Sequence, residues 1–242
     1  MPSFEQNGVT LYYEEQGTGF PLLLLAPGGM RSIIARWDSA PFDPRKELGS
    51  DFRVIAMDQR NAGRSSAPVR ASDGWQTYAR DQLALIDRLG IERCHLLGGC
   101  IGGAFCLSLI ALAPERIASA VLQQPIGLSA DNRAMFYELF DGWKTELESS
   151  RSELAPEAFR GFRERMYGGD FVFSVSREKL RSCPAPLLVL MGNDPYHPSE
   201  ISREIVELAP RATLIENWKE PHVRTTVERV RAFLKEHTPR TS

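Results

Sequence analysis

The sequence predicts an α/β fold, with a mostly parallel central sheet, helices on both faces and a small helical insertion. Three observations lead to this prediction. Strand-like apolar runs alternate with helical segments in the first half of the chain, and several of these runs are continuously apolar. The alternation then stops between residues 126 and 183. Continuous apolar strands are typical of a parallel sheet, because crossover helices cover both its faces, and 242 residues suffice for one such domain.

The predicted strands are short runs rich in aliphatic residues, and they cover residues 9–15, 20–26, 53–58, 93–98, 117–124, 185–192 and 212–218. Between the third and the fourth strand, residues 75–89 have apolar side chains at helical spacing and are followed by Gly90, which favours a helix end. Further helices are predicted for residues 103–113, which are apolar nearly all round, and 225–237. This strand–helix–strand order implies parallel strands.

Residues 126–183 are predicted to be a helical lid inserted into a core formed by residues 1–125 and 184–242. Phe136, Phe140 and Trp143 recur at helical spacing, which places them on one face of a helix. Two roles are open for these aromatic side chains. They either line a pocket that excludes water from a substrate, or they only pin the insertion to the core.

Charge and composition exclude several kinds of partner. Lys and Arg together number 29, and Asp and Glu number 31, so the chain lacks the charge excess of proteins that bind nucleic acid or anionic membranes. No apolar run is long enough to cross a bilayer and no secretory leader is evident, which predicts a cytoplasmic protein. The expected partner is a small-molecule substrate and no cofactor is predicted. The sequence leaves open whether the chain forms a homo-oligomer.

One of the four cysteines differs from the others. None belongs to a CxxC pair or to a Cys/His cluster at zinc-finger spacing, so reduced thiols and no metal site are predicted. Cys100 lies within LLGGCIGGAF, between a predicted strand and a predicted helix. A tight strand-to-helix turn strains its central residue and needs glycines nearby, which Gly98 and Gly102 supply. The GxCxG pattern therefore predicts a nucleophile elbow, where the start of the helix would lower the pKa of the thiol.

A nucleophile of this kind needs a base and a carboxylate that orients the base. Asp194 follows the predicted strand 185–192, and His222 follows the strand 212–218, so both are predicted at the carboxyl edge of the sheet. The order nucleophile, acid, histidine is the one expected for this architecture. Asp131, after the preceding strand, is the alternative acid. His197 is expected to be a loop residue near the site.

At these positions the chain resembles the α/β-hydrolase family over most of its length. The motifs that carry the resemblance stand in the expected strand order, and they are MDQRNAGRSSAP, DQLALIDRLGIERCHLLGG, GGCIGG, GNDPYHP and EPH. The cysteine makes the elbow similar to that of dienelactone hydrolases. The resemblance implies an α/β-hydrolase fold and a Cys-His-Asp catalytic triad.

By this resemblance Cys100 would attack an acyl carbon, His222 would hold the thiolate and move protons, and Asp194 would fix the imidazole tautomer. The backbone N–H of Ile101 would be one oxyanion donor. The second donor would come from the loop APGGM, as Gly29 or the neighbouring Met30. Asn61 departs from the family pattern, because a glycine is common at its position.

A cysteine nucleophile restricts the substrate. Since a thiolate leaves more readily than an alkoxide, the tetrahedral intermediate of a simple alkyl ester tends to return to substrate, whereas enol, phenol and thiol leaving groups compete better. The sequence therefore predicts an esterase, lactonase or thioesterase that acts on activated acyl bonds through a thioester acyl-enzyme. An acyltransferase using the same acyl-enzyme and a non-catalytic small-molecule-binding protein on this fold are the alternatives.

Overall fold

The computed structural model describes residues 3–151, 154 and 156–239. The strands are β1 (Ser3–Gln6), β2 (Val9–Gln16), β3 (Pro21–Leu25), β4 (Arg53–Met57), β5 (Cys94–Gly99), β6 (Ile117–Gln123), β7 (Leu187–Leu190) and β8 (Ala212–Ile215). The helices are α1 (Pro44–Leu48), α2 (Trp75–Arg88), α3 (Ile101–Leu112), α4 (Arg133–Ser150), α5 (Pro156–Tyr167), α6 (Arg177–Arg181), α7 (Ser199–Leu208) and α8 (Val223–Glu236).

The strands form one sheet in the order β1-β2-β4-β3-β5-β6-β7-β8. Strand β2 runs antiparallel to β1 and β4, and the other neighbouring strands are parallel. The predicted α/β class with a mostly parallel sheet is therefore confirmed. The sequence missed β1, because the four residues SFEQ are mostly polar and exposed and only Phe4 packs against the core.

Helices cover both faces of the sheet. Helix α3 is buried along nearly its whole length and packs with α2 on one face. On the other face of the sheet, the apolar side chains of α8 form a second core cluster. This cluster also contains side chains of α1 and those side chains of the central strands that point to this face. The parallel strands β3, β5, β6 and β7 are thus buried on both faces, which explains why their sequences are continuously apolar.

The segment predicted as a lid, residues 126–183, contains α4, α5 and α6, while its residues 152, 153 and 155 lie outside the described part. Phe136, Phe140 and Trp143 are at most 2% exposed and belong to the main core cluster. Rings of α4 and α5 meet edge to face, as in the pair Phe140–Phe162 with centroids 5.3 Å apart. These contacts agree with the pinning role, and the division into core and lid stays a prediction.

Asn61 connects the loop after β4 to this segment. Its backbone is left-handed with φ 56°, a conformation that asparagine tolerates better than most residues. The Asn61 carbonyl accepts a hydrogen bond from the Trp143 indole at 3.1 Å, and its side-chain oxygen accepts one from Arg151 at 3.0 Å. A glycine would keep the backbone conformation but lose the side-chain bond to Arg151, which accounts for asparagine at this position.

Within the described residues, every helix is too short or too polar to pass through a lipid bilayer.

Candidate active site

Cys100 lies at the turn between β5 and α3, with φ 58° and ψ −120°. A Cβ added to Gly98 would collide with the Gly102 carbonyl, and one added to Gly102 would collide with the Leu25 carbonyl. Both glycines of the GxCxG pattern are therefore required by close backbone approach. The Cys100 N–H donates a hydrogen bond to the carbonyl of Gln123 on the adjacent strand β6, at 2.9 Å, and this bond fixes the strained turn against the sheet.

Asp194 and His197 form one compact turn after β7. The His197 Nδ1 lies 2.8 Å from both carboxylate oxygens of Asp194. The same carboxylate accepts hydrogen bonds from the backbone N–H groups of Tyr196 at 3.0 Å and His197 at 3.2 Å. These bonds hold the imidazole in one orientation. They also lower the pKa of Asp194, outweighing burial, which acts in the opposite direction.

The imidazole of His197 also interacts with Cys100. Because Nδ1 is bonded to Asp194, Nε2 is the ring nitrogen left for the thiol, and it is buried without a hydrogen-bond partner among the described residues. Burial alone would raise the pKa of the Cys100 thiol, but the neighbouring imidazole of His197 lowers it overall. Burial would lower the pKa of His197, but Cys100 and Asp194 raise it overall. The lowered pKa of the thiol and the raised pKa of the imidazole both favour a thiolate–imidazolium pair.

His222 does not take the place that the sequence analysis gave it. It is exposed at the start of α8, while the Asp194 carboxylate is occupied by His197. The loop after β8 instead inserts Trp218, which is 1% exposed and donates its indole N–H to the Met191 carbonyl at 2.7 Å. The alternative acid Asp131 is exposed. The structure therefore brings together Cys100, Asp194 and His197.

The thiol also lies beside two backbone donors. Burial raises the pKa of the Cys100 thiol, whereas the nearby backbone N–H groups of Gly28 and Ile101 both act to lower it. Ile101 is the donor that the sequence predicts, whereas Gly28 lies one residue before the predicted Gly29. The Gly28 carbonyl accepts the Arg31 N–H at 3.1 Å and begins a 3₁₀ turn over Gly29–Arg31. Met30, the other predicted donor, is 2% exposed with its side chain in the core.

The remaining cysteines differ from Cys100 in their surroundings. Burial raises the pKa of Cys94 to about 12 and raises the pKa of Cys106 and Cys183. All three are buried, whereas Cys100 is partly exposed. Cys100 is therefore the cysteine whose surroundings favour the thiolate form. No group of three or more His, Cys, Asp or Glu side chains that could hold a metal ion occurs among the residues the structure describes.

The lid segment touches the turn that carries His197. Asn132, just before α4, donates its side-chain N–H to the Pro195 carbonyl at 2.8 Å. The Phe136 ring meets the Tyr196 ring edge to face with centroids 5.7 Å apart. Trp143 also borders a cavity of about 300 Å³ between α4 and the segment after Gly28, where Arg36 lies against Gly28. Phe136 and Phe140 are enclosed in the aromatic core.

Sequence reasoning missed His197 as the partner of Asp194. The available signal was the short run DPYHP. Its aspartate precedes the histidine by three residues, and a proline follows each of these two residues. Aspartate readily accepts hydrogen bonds from the N–H groups two and three residues ahead, and such a turn folds the histidine back onto the carboxylate.

A strained turn between a parallel strand and a buried helix, with an acid and a histidine at the same sheet edge, defines a protein of the nucleophile-elbow class. The chain belongs to the alpha/beta hydrolase fold family, whose sequence profile matches residues 21–180. It is 32% identical over 124 residues to 2-hydroxy-6-oxo-6-phenylhexa-2,4-dienoate hydrolase of Comamonas testosteroni, covering 51% of this chain and 43% of that protein. It is 26% identical over 228 residues to 2-hydroxymuconate semialdehyde hydrolase of Pseudomonas putida, covering 83% and 79%.

The chain spans less than half the length of the first curated relatives it matches, 41% to 43%. Among solved structures it is similar to a meta-cleavage product hydrolase from Pseudomonas fluorescens, with a TM-score of 0.73, 22% identity and 98% of each chain covered. It is also similar to naproxen esterase from Bacillus subtilis, with a TM-score of 0.65, 21% identity and coverage of 96% and 90%. These likenesses establish the fold. The similarity to dienelactone hydrolases at the elbow stays a prediction.

Proposed function

We propose that this protein is a hydrolase that cleaves activated esters, lactones or thioesters through a thioester formed on Cys100. The observation that carries the proposal is the hydrogen-bonded pair Asp194–His197, whose imidazole lowers the pKa of Cys100 at the strained turn beside the N–H groups of Gly28 and Ile101. This arrangement combines a nucleophile, a base, a group that orients the base, and donors for a developing oxyanion.

The proposed reaction begins with attack of the Cys100 thiolate on the acyl carbon. The carbonyl electron pair moves onto oxygen, where the N–H groups of Gly28 and Ile101 stabilise the negative charge. As the intermediate collapses, the bond to the leaving group breaks and His197 gives its Nε2 proton to that group. The neutral imidazole then takes a proton from water, the water oxygen attacks the thioester, and the acid is released with the thiolate restored.

The nucleophile narrows the substrate class. A thiolate is itself a good leaving group, so a tetrahedral intermediate expels an alkoxide less readily than it expels Cys100. Aryl, enol and thiol leaving groups remove this disadvantage. Two relatives are named as hydrolases of a dienoate and of a semialdehyde, and the structural neighbour from Bacillus subtilis is named as an esterase. These named substrates all contain a carbonyl group, which supports a proposed reaction in which Cys100 attacks a carbonyl carbon.

The test is a substrate panel run on the wild type, Cys100→Ala and Cys100→Ser. The panel contains an aryl ester, an enol lactone, an acyl thioester and an alkyl ester of the same acyl group. We expect wild-type kcat/KM to be at least about tenfold higher on the activated compounds than on the alkyl ester, and to be lost in Cys100→Ala. Full activity of Cys100→Ala would contradict the proposal. Transfer of the acyl group to added alcohols or amines would indicate an acyltransferase instead.

A further inference from the structure

Gln124 lies between the turn that carries Cys100 and the loop that carries Asp194 and His197. In the sheet register, Gln123 of β6 is opposite Gly99 of β5 and Leu190 of β7. Gln124 is the next residue, so it is flanked by Cys100 on one side and by the turn that leads to His197 on the other. Two backbone bonds fix this position, from Cys100 N–H to the Gln123 carbonyl and from Gln124 N–H to the Leu190 carbonyl at 2.7 Å.

The backbone of Gln124 is unusual for its residue type. Its φ of 40° lies in the left-handed region, which residues other than glycine, asparagine and aspartate seldom adopt. Pro125 follows directly, and the residue before a proline is normally held in an extended conformation. Strained residues that persist in this way cluster at sites of ligand binding and catalysis. The strained backbone therefore makes position 124 a candidate for a functional role.

The side chain of Gln124 has an unfilled hydrogen-bonding capacity. Its Oε1 atom is buried and accepts no hydrogen bond from the described residues. A buried acceptor without a donor is unfavourable and is normally filled by protein, water or ligand. The neighbouring Gln123 also has an unpaired amide atom, but that residue is 2% exposed within the core of the sheet. Gln124 is partly exposed and follows the carboxyl end of β6, where ligands of parallel sheets bind.

We propose that the Gln124 carbonyl oxygen binds an O–H or N–H donor on the acyl part of the substrate, close to the carbon attacked by Cys100. The preferred substrates are then activated esters or thioesters whose acyl group carries a hydroxyl, enol or amide hydrogen. This inference rests on the proposed function, because it places the donor on the acyl group held at the elbow. Gln124 acts as a specificity-determining residue, since its bond to the donor adds binding energy that a plain acyl chain cannot supply.

The test compares two thioesters of the same size, the phenyl thioesters of hydroxyacetic acid and of propionic acid. We expect wild-type kcat/KM to favour the hydroxyacetyl compound about tenfold, the worth of one hydrogen bond. Gln124→Leu removes the acceptor and should abolish this preference, so that hydroxyacetyl turnover falls about tenfold further than propionyl turnover. Gln124→Glu keeps an acceptor oxygen in a side chain of the same length and should retain the preference. Gln76→Leu on the exposed face of α2 is the control and should behave as wild type.

The outcomes separate this inference from the proposed function. Acylation of Cys100 by both thioesters, with no preference in the wild type, would overturn the inference alone. Equal losses on both thioesters in Gln124→Leu, with unchanged folding by circular dichroism, would assign Gln124 a structural role and also overturn it. If neither thioester acylates Cys100, the proposed function fails and this inference fails with it.

Discussion

Asp194 and His197 are held together within a single turn, with His197 Nδ1 lying 2.8 Å from both oxygens of a carboxylate only three residues earlier. The two side chains that we propose as orienting group and base therefore lie on the same loop after β7. The loop after β8 instead buries Trp218 against Met191, the residue that follows β7. In the proposed mechanism the base is therefore His197, whereas the order of the strands alone points to His222.

Replacing the two histidines distinguishes the geometry from the strand-order expectation. His197→Gln removes the group that holds the thiolate and protonates the leaving group, and we expect kcat/KM on an aryl ester to fall by about 10³-fold or more. His222→Gln alters an exposed residue at the start of α8 and should remain within about twofold of wild type. The measurement is steady-state kinetics of both variants. A large loss in His222→Gln with little loss in His197→Gln would instead show that His222 is the base.

The pH dependence of thiol alkylation tests the pairing of Cys100 with His197. The lowered pKa of Cys100 and the raised pKa of His197 both increase the population in which thiolate and imidazolium coexist. Alkylation of Cys100 should therefore proceed at pH values below the ordinary thiol pKa of about 8.5. As pH rises through the pKa of His197, the proton needed by the leaving group is lost and acylation should slow.

In His197→Gln the alkylation profile should move to higher pH by at least about one unit, because the positive partner is gone. Tandem mass spectrometry of the labelled peptide distinguishes Cys100 from Cys94 and Cys106, which lie in the same stretch without Lys or Arg. A profile that does not change in this variant would show that His197 does not influence the thiol.

Two adjacent glycines test which backbone N–H serves as the second oxyanion donor. Gly28 has φ 120°, and a Cβ there would lie 2.9 Å from the Arg31 carbonyl, so Gly28→Ala must shift the backbone at the site. We expect a loss of about 10²-fold to 10³-fold in kcat. Gly29 has φ 61° with no atom within 4 Å of an added Cβ, so Gly29→Ala should cost about 1 kcal/mol of stability and little activity. A larger kinetic effect at Gly29 would favour the register predicted from the sequence.

We expect His95, at the opposite end of β5 from Cys100, to affect stability at acid pH. It is fully buried in β5, with Nδ1 2.8 Å from the Ser119 hydroxyl and Nε2 2.9 Å from the Thr238 hydroxyl. Burial lowers its pKa to about 3, and the charges of His237 and Arg93 act in the same direction. Between that value and about 6.5, the unfolded chain binds a proton that the folded chain does not.

The free energy of unfolding should accordingly fall as pH drops below about 6.5, with His95 contributing at most about 1.4 kcal/mol per pH unit. His95→Gln has no ionisable group at this position. Its free energy of unfolding, measured by urea denaturation, should decline less steeply from about pH 6 to about pH 4. Equal slopes for the variant and the wild type would show that His95 does not titrate on unfolding.

The fold was predictable because each buried parallel strand is a continuous apolar run, and because the glycines around Cys100 specify a tight turn. Position along the strand order also placed Asp194 at the correct edge of the sheet. Strand order could not identify His197, since it fixes where a loop begins but not which of its side chains turns back toward the site. That choice depends on the hydrogen bonds of the Asp194 turn and on Trp218 filling the space beside β7.

The oxyanion loop shows the same limit of sequence reasoning. The motif APGGM contains two glycines, and only the backbone direction at Gly28, with φ 120°, determines which N–H reaches Cys100. Asn61 is similar, because its substitution for glycine becomes intelligible only through contacts with Trp143 and Arg151, which are distant in sequence. Gln124 was predicted only as the last residue of a strand, and its strained conformation is visible in the structure alone.

The most direct test of the account is the identification of the acyl-enzyme. The protein is mixed with an excess of an aryl acetate, quenched in acid within the first turnover, digested and analysed by mass spectrometry. We expect one acetyl group on the peptide that contains Cys100, at close to one per chain, and none on this peptide in Cys100→Ala. Turnover of the aryl acetate without any acylation of Cys100, or an acetyl group found instead on another residue at full rate, would contradict the account.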